Sequence, residues 1–339
     1  MKKVRVEDAV GMVLGHDLTK IVPGSYKGPA FRKGHIIKEE DIPHLKDIGK
    51  EHIYLIELPE DKLHENEAAA RVAASVSGPN TQLSPAAEGR VNITAAVDGL
   101  LKINRQAIAA VNRVENLALS TRHTHIVVKA GELVAAVKII PLVIDQEAVL
   151  TAEEQAKEYG PVIQVKPLNS LKVGIVITGN EVYYGRIQDR FAPVLKNKME
   201  HYGAEIIEVI YSPDDPEQIR QAIMTCQEKG AQLIIASGGM SVDPDDVTPE
   251  AIRLTGARVV LYGTPVLPGA MFMLAYLGSV TLMGLPACGM YSKTTVLDLV
   301  LPRVLAGERL TKEDIISMGY GGLCMNCKEC IYPHCPFGK

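Results

Sequence analysis

The sequence predicts an α/β protein: a three-layer αβα domain with a mostly parallel sheet, preceded by a smaller β-rich module and an α+β module. From Leu171 onward, short β-rich runs alternate with amphipathic stretches at helical spacing, the pattern of parallel strands joined through helices. The 339 residues suffice for two or three domains around one sizeable core. Val259 to Ser292 contains no Asp, Glu, Lys, Arg or His. Pro265, Pro268, Pro286 and the intervening glycines cut that stretch into pieces too short to cross a bilayer as one helix, so it reads as buried strands, crevice wall and subunit interface.

Residues 1–60 mix short apolar runs with turns such as Pro23-Gly24 and Lys33-Gly34, and read as the β-rich module. The Ala, Ser, Gly and Pro content of 68–87 suggests a helix end and linker. Residues 85–168 form the α+β module, with a helix around Leu101–Leu117 and a hairpin, Ile126–Lys129 with Leu133–Ile139, turning at Ala130-Gly131. In 169–310, Val173–Ile177 is the first buried strand. Phe191, Leu195 and Met199 then recur at helical spacing, and Gly203 supplies the left-handed stop. The second strand is Ala204–Tyr211. Asp215-Pro216-Glu217-Gln218 has the form of an N-cap, an N1 proline and an N3 amide, opening a helix that Gly230 closes. Leu233–Ser237 is the third strand, Thr248-Pro249-Glu250 caps a further helix, and Arg258–Tyr262 and Ser279–Met283 add two strands before a last helix, Thr294–Leu305. A tail, 320–339, follows.

Lys and Arg number 36 against 40 Asp and Glu, a net charge of −4, so the positive excess that nucleic-acid binding draws on is missing. Trp is absent and Phe occurs four times, leaving little surface for base stacking. The N-terminus meets Glu7 and Asp8 before any apolar run, which argues against a secretory signal and for a cytoplasmic protein with reduced thiols. Neither nucleic acid nor a membrane is expected as a partner.

In a sheet of this kind the ligand crevice lies outside the C-terminal ends of the strands. The turns expected there carry acids beside glycines: Thr178-Gly179-Asn180-Glu181, Ser212-Pro213-Asp214-Asp215, and Ser237-Gly238-Gly239-Met240-Ser241 through Asp245 and Asp246 to Thr248. Glycines let backbone N–H groups approach an oxyanion, and carboxylates can hold Mg²⁺ that bridges phosphate oxygens. Asp215 and Thr248 also suit plain helix capping, a role not evident for Glu181, Asp245 or Asp246. Two uncharged loops, containing Pro268-Gly269 and Pro286-Ala287-Cys288-Gly289, complete the crevice.

These loops resemble the molybdopterin-binding domain shared by molybdopterin adenylyltransferase and molybdopterin molybdenumtransferase, over about Leu171 to Leu310. Thr178-Gly179-Asn180-Glu181 is similar to the family's T-G-D/N-E turn and Asp214-Asp215 to its acidic loop. Gly238-Gly239-Met240-Ser241-Val242 through Asp246 resembles the G-G-x-S-x-G-x-x-D signature of the molybdenumtransferase, and Asp246-Val247-Thr248-Pro249-Glu250-Ala251 the D-V-T-P-E-A of the adenylyltransferase. The resemblance implies molybdopterin or its adenylylated form as ligand, ATP and molybdate as co-substrates, and a homo-oligomer. It implies Glu181, Asp215 and Asp246 as the Mg²⁺- or phosphate-handling carboxylates, with Thr178, Gly179, Gly238, Gly239, Ser241, Pro268, Gly269 and Pro286 around the ligand. The sequence also departs from the family. The S-x-x-D-G-Y-A segment has no counterpart, the P-G-K-P loop reads Pro268-Gly269-Ala270-Met271 without its cation, and the adenylyltransferase's P-R-D reads Pro244-Asp245-Asp246. Either transferase reaction, or a non-catalytic cofactor carrier or sensor, is compatible with this pattern.

Cys324, Cys327, Cys330 and Cys335 make a C-x₂-C-x₂-C-x₄-C run closed by Pro336, holding four of the chain's six cysteines. Thiolates so spaced predict a metal centre, an iron–sulfur cluster or Zn²⁺. The run is one residue longer than the ferredoxin-type C-x₂-C-x₂-C-x₃-C-P.

Overall fold

A computed structural model describes the chain except residues 1, 13, 23–25, 56–58 and 60; the expected Pro23-Gly24 turn lies outside the described residues. The chain divides into two compact units, one of 1–97, 102–122 and 129–165, the other of 98–101, 123–128 and 166–339.

In the first unit, Lys2–Arg5 pairs antiparallel with His52–Leu55, and Leu18–Val22 with Tyr26–Phe31. They enclose a small core of Val4, Val6, Leu14, Phe31, Ile37, Leu45 and Ile53. The stretch read as a linker is ordered: Glu65–Val76 is a helix burying Ala68, Ala69, Val72 and Ala73, and Thr81–Leu83 is an edge strand. The sequence misassigned two elements between residues 99 and 139, a stretch divided between the two units. Leu101 starts no helix; Gly99–Ile103 is a strand, and the helix is Arg105–Val111, begun by Asn104, whose side chain accepts from the Gln106 and Ala107 N–H groups. The hairpin at Ala130-Gly131 does not form either. Leu133–Ile139 pairs instead with Arg90–Thr94 and Leu117–Thr121, while Val127–Val128 pairs with Gly99–Leu100. A Gly turn between two β-rich runs gives the chain its reversal but not its pairing partner, which long-range packing selects.

The second unit is built on a six-stranded sheet. Its elements are β1 (Lys172–Thr178), α1 (Asn180–Tyr183), α2 (Phe191–His201), β2 (Glu205–Ser212), α3 (Pro216–Glu228), β3 (Leu233–Ser237), α4 (Thr248–Leu254), β4 (Arg258–Tyr262), β5 (Met273–Leu277), β6 (Val280–Leu285), α5 (Cys288–Tyr291), α6 (Val296–Leu305) and α7 (Lys312–Ile316). The strand order is β2-β1-β3-β6-β5-β4. The first four strands run parallel, and β5 and β4 run antiparallel at one side. The sequence missed β5, because an apolar run without flanking charge or alternation has no boundary signal.

Strand periodicity splits the sheet's side chains between two cores. Val173, Ile175, Ile177, Leu233, Ile235 and Met283 pack under α2 and α6. Val176, Ile234, Ala236 and Leu282 pack under α3 and α4. Gly174 belongs to the second face, where a Cβ would sit 2.7 Å from Cys226 Cβ on α3, so the missing side chain sets how closely that helix lies on the sheet. This is the three-layer αβα arrangement, with the uncharged stretch supplying β5, β6 and all of β4 except Arg258.

Candidate functional site

β1, β2, β3 and β6 are parallel, so their C-terminal residues Thr178, Ser212, Ser237 and Leu285 come to one edge of the sheet. All four are buried. The Thr178 and Thr248 hydroxyls lie 3.0 Å apart, tying β1 to the first residue of α4. Thr248 therefore does not cap its helix, whose N-cap is Val247 without a side-chain bond; its buried hydroxyl is instead a floor under the Gly238-Gly239 turn. Among the described residues, the Ser237 hydroxyl beside it is buried without a hydrogen-bond partner.

Above this floor the acidic loops brace one another. The Asn180 N–H donates to Asp214 Oδ2 at 2.8 Å, and the Asp214 N–H donates to Asn180 Oδ1 at 3.3 Å. Burial pushes the Asp214 carboxyl above its ordinary range against the pull of the Asn180 N–H, and the negative charges of Glu181, Asp246 and Asp245 push it the same way. Asp215 is spent differently: its side chain accepts from the Gln218 N–H at 2.8 Å as the N-cap of α3. The carboxylate presented to Asn180 is thus the neighbour of the one singled out in the sequence. Asp246 Oδ2 accepts from the Ser241 N–H at 3.0 Å and the Asp243 N–H at 3.3 Å, closing the exposed 241–246 loop. That is a bracing role which spacing alone did not reveal. Glu181 lies exposed on α1, its carboxylate over Gly179, where a Cβ would stand 3.0 Å from its oxygens.

The glycines are required by space. Gly238 has φ +110°, and a Cβ there would fall 2.2 Å from the Thr178 carbonyl oxygen; at Gly239, φ +54°, it would meet Thr248 Oγ1 at 3.0 Å. The 238–239 turn therefore seats directly on Thr178 and Thr248. Beside it, Pro268 and Gly269 are fastened to the start of α6: the Val296 N–H donates to the Pro268 carbonyl at 3.1 Å, and a Cβ on Gly269 would collide with Val296. Gly269, Pro286, Cys288, Phe191 and Lys198 line one groove. Lys198 is a cation the loop sequences did not disclose, since it comes from α2; it pairs with Asp298 and donates to the Lys293 carbonyl at 3.2 Å. Burial pushes the Cys288 thiol up, away from nucleophilic readiness.

Thus Thr178, Gly179, Glu181, Gly238, Gly239, Ser241 and Asp246 gather at the ends of β1 and β3, and Pro268, Gly269 and Pro286 form the adjoining wall. Among the described residues no three His, Cys, Asp or Glu side chains stand close enough to hold a metal ion by themselves. This applies to the carboxylates and to the tail cysteines alike. No helix is long and apolar enough to cross a membrane.

An αβα sheet with an acid- and glycine-lined crevice at its parallel strand ends defines a nucleotide- or cofactor-binding class of domain. Residues 174–306 match the family described as "probable molybdopterin binding domain". Residues 3–57 match a domain family of unknown function, DUF8806. A CinA-like protein of Mycobacterium tuberculosis is 38% identical over 93 residues, 27% of this chain and 22% of that relative. One from Mycobacterium avium is 34% identical over 93 residues, 27% and 21% of the two chains. The chain therefore spans about a fifth of the length of these curated relatives. Similar solved structures include the molybdopterin biosynthesis enzyme MoaB of Thermus thermophilus, with 21% identity, TM-score 0.34, and coverage of 41% of this chain and 98% of that one. Another is the CinA protein of Thermoplasma acidophilum, with 17% identity, TM-score 0.35, and coverage of 40% and 99%.

Proposed function

We propose that the crevice binds molybdopterin, or its adenylylated form, through the phosphate and acts in molybdenum-cofactor assembly by Mg²⁺-dependent nucleotidyl transfer or metal insertion. The observation that supports this most is the partly buried Asp214, held against Asn180 and surrounded by Glu181, Asp245 and Asp246, in a domain of the molybdopterin-binding family. Carboxylates that raise one another's proton affinity gain from a cation between them. Mg²⁺ keeps water and substrate phosphate as most of its ligands, so one or two of these carboxylates would be enough to take part in holding it. Asp214, Glu181 and Asp246 would hold it, and when bound it supplies charge neutralisation at a phosphate. The seated 238–239 turn, the Thr248 floor and the Ser237 hydroxyl would orient the ligand.

The test is anaerobic incubation of the full chain with molybdopterin, MgATP and molybdate, followed by identification of the pterin product. An adenylylated or metallated pterin is expected, abolished in Asp214→Asn. A folded protein that binds no pterin would sink the reading. Binding without turnover would instead establish the second one, a cofactor carrier or sensor. What favours that reading is the uncharged 263–271 loop, together with Lys198 being paired to Asp298. ATP, molybdate and a homo-oligomeric assembly belong to the catalytic reading.

A further inference from the structure

The last twenty residues fold onto the αβα unit. The Leu267 N–H donates to the Gly322 carbonyl and the Cys324 N–H to the Leu267 carbonyl, both at 2.8 Å, so the tail forms a bridge to the loop that carries Pro268-Gly269. The Tyr332 hydroxyl donates to the Asp298 carbonyl on α6 at 3.1 Å, and Phe337 is buried in the core beneath α2 and α6. The Gly338 N–H closes the loop onto the Gly321 carbonyl at 2.9 Å.

Within this pinned loop, Cys324, Cys327, Cys330 and Cys335 all line one cavity of about 240 Å³, completed by Tyr291–Thr294 from the α5–α6 connection. Three features of the cavity bear on what it takes. Cys324, Cys327, Cys330 and Cys335 all line it, and its volume of about 240 Å³ is far more than one ion fills. A single tetrahedral Zn²⁺ needs every sulfur at about 2.3 Å from one point, whereas a four-iron cluster takes each thiolate on a different iron at its own corner. No Asp or Glu lines the cavity, while Lys293 does, which suits an anionic thiolate-ligated centre. Thr294 Oγ1 lies 3.1 Å from Cys330 Sγ, a hydrogen bond of the kind that tunes a ligating sulfur.

We propose that these four cysteines ligate one [4Fe–4S] cluster, each thiol losing its proton as its sulfur bonds one iron. The 288–296 segment is then a wall shared by two sites, since Cys288, Gly289, Thr295 and Val296 face the groove beside Pro268-Gly269 and Tyr291–Thr294 face the cluster. The proposal is independent of the pterin reading.

The experiment uses the full chain, purified anaerobically, incubated with ferric iron, sulfide and a thiol that reduces part of the iron to the ferrous state, and desalted. Iron, acid-labile sulfide and zinc are then counted, with a visible absorption spectrum. About four irons and four sulfides per chain and a broad visible band are expected. Cys327→Ser and Cys330→Ser, both at exposed positions, should each lose at least about half of the iron, while Cys288→Ser keeps all of it. Near-UV circular dichroism verifies that each variant is folded. A colourless protein with one zinc, a folded protein that takes up no iron, or full iron content in both tail variants would each overturn the proposal.

Discussion

In the crevice, apart from the Ser237 hydroxyl, the buried and half-buried polar groups are partnered within the protein: Asp214 with Asn180, Asp246 with the Ser241 and Asp243 N–H groups, Thr178 with Thr248. In the tail cavity the chain is fastened by backbone bonds at Leu267 and Gly321 and by the Tyr332 hydroxyl at Asp298, but no three of the four sulfurs stand close enough to share one ion. The first region is organised down to its functional atoms, and its ligand must fit what is there. The second is organised only in its frame, so an occupant would complete it, and stability there should depend on loading.

Asp298 joins the two regions, and its replacement is the strongest way to break the comparison. Its carboxylate completes the capping box of α6 and pairs with Lys198, and its carbonyl accepts from Tyr332. Asp298→Ala strands a mostly buried Lys198 and removes a cap, so a loss of about 3–5 kcal/mol is expected in denaturant unfolding, with both ligand sites impaired. Gly238→Ala should separate the regions instead. The added methyl must displace the Thr178 carbonyl, at a cost of roughly 2–4 kcal/mol. Pterin binding should fail by titration calorimetry while iron content at the tail is unchanged. Loss of both together would show that the two sites fold as one.

Tyr332→Phe removes one hydrogen bond to Asp298 and should cost about 1 kcal/mol, measured in the cluster-free protein. The smallest effect is expected at Asp214, and its sign follows from its raised proton affinity. Below the ordinary carboxylate range both folded and unfolded chains hold the proton. As pH rises through that range towards the higher native value, the unfolded chain releases its proton first, so native stability falls across that window and then levels off. Asp214→Asn should abolish this fall and be slightly more stable than wild type at pH 7, as urea midpoints measured between pH 3 and 8 can check. Mg²⁺ with phosphate ligand should remove the difference by favouring the charged form.

Much of this was legible locally. The Asp215 cap, Gly203 at φ +72° after α2, and strands β1, β3 and β4 follow from patterns within a few residues. Apart from β5 and the start of the Arg105–Val111 helix, the misses are long-range. A Gly turn before Leu133 could not reveal that its strand partners are Arg90–Thr94 and Leu117–Thr121. Adjacent aspartates at 214 and 215 look alike in sequence, yet one points to a helix N-terminus and the other to a loop 34 residues earlier. Thr248 suits a cap by composition, but its hydroxyl is taken by a threonine 70 residues away.

By itself the sequence determined the αβα alternation, the acidic Gly-rich turns, the family of the domain and the clustering of cysteines, because periodicity, capping and motif spacing are encoded within single segments. The tertiary structure alone decided that Asp214 rather than Asp215 meets Asn180, and that Lys198 lines the groove with Gly269 and Pro286. It also decided that the cysteine tail returns to Leu267 and Thr294 to enclose a cavity. Those placements depend on the sheet order and on which faces bury each other, and no local stretch of chain specifies either.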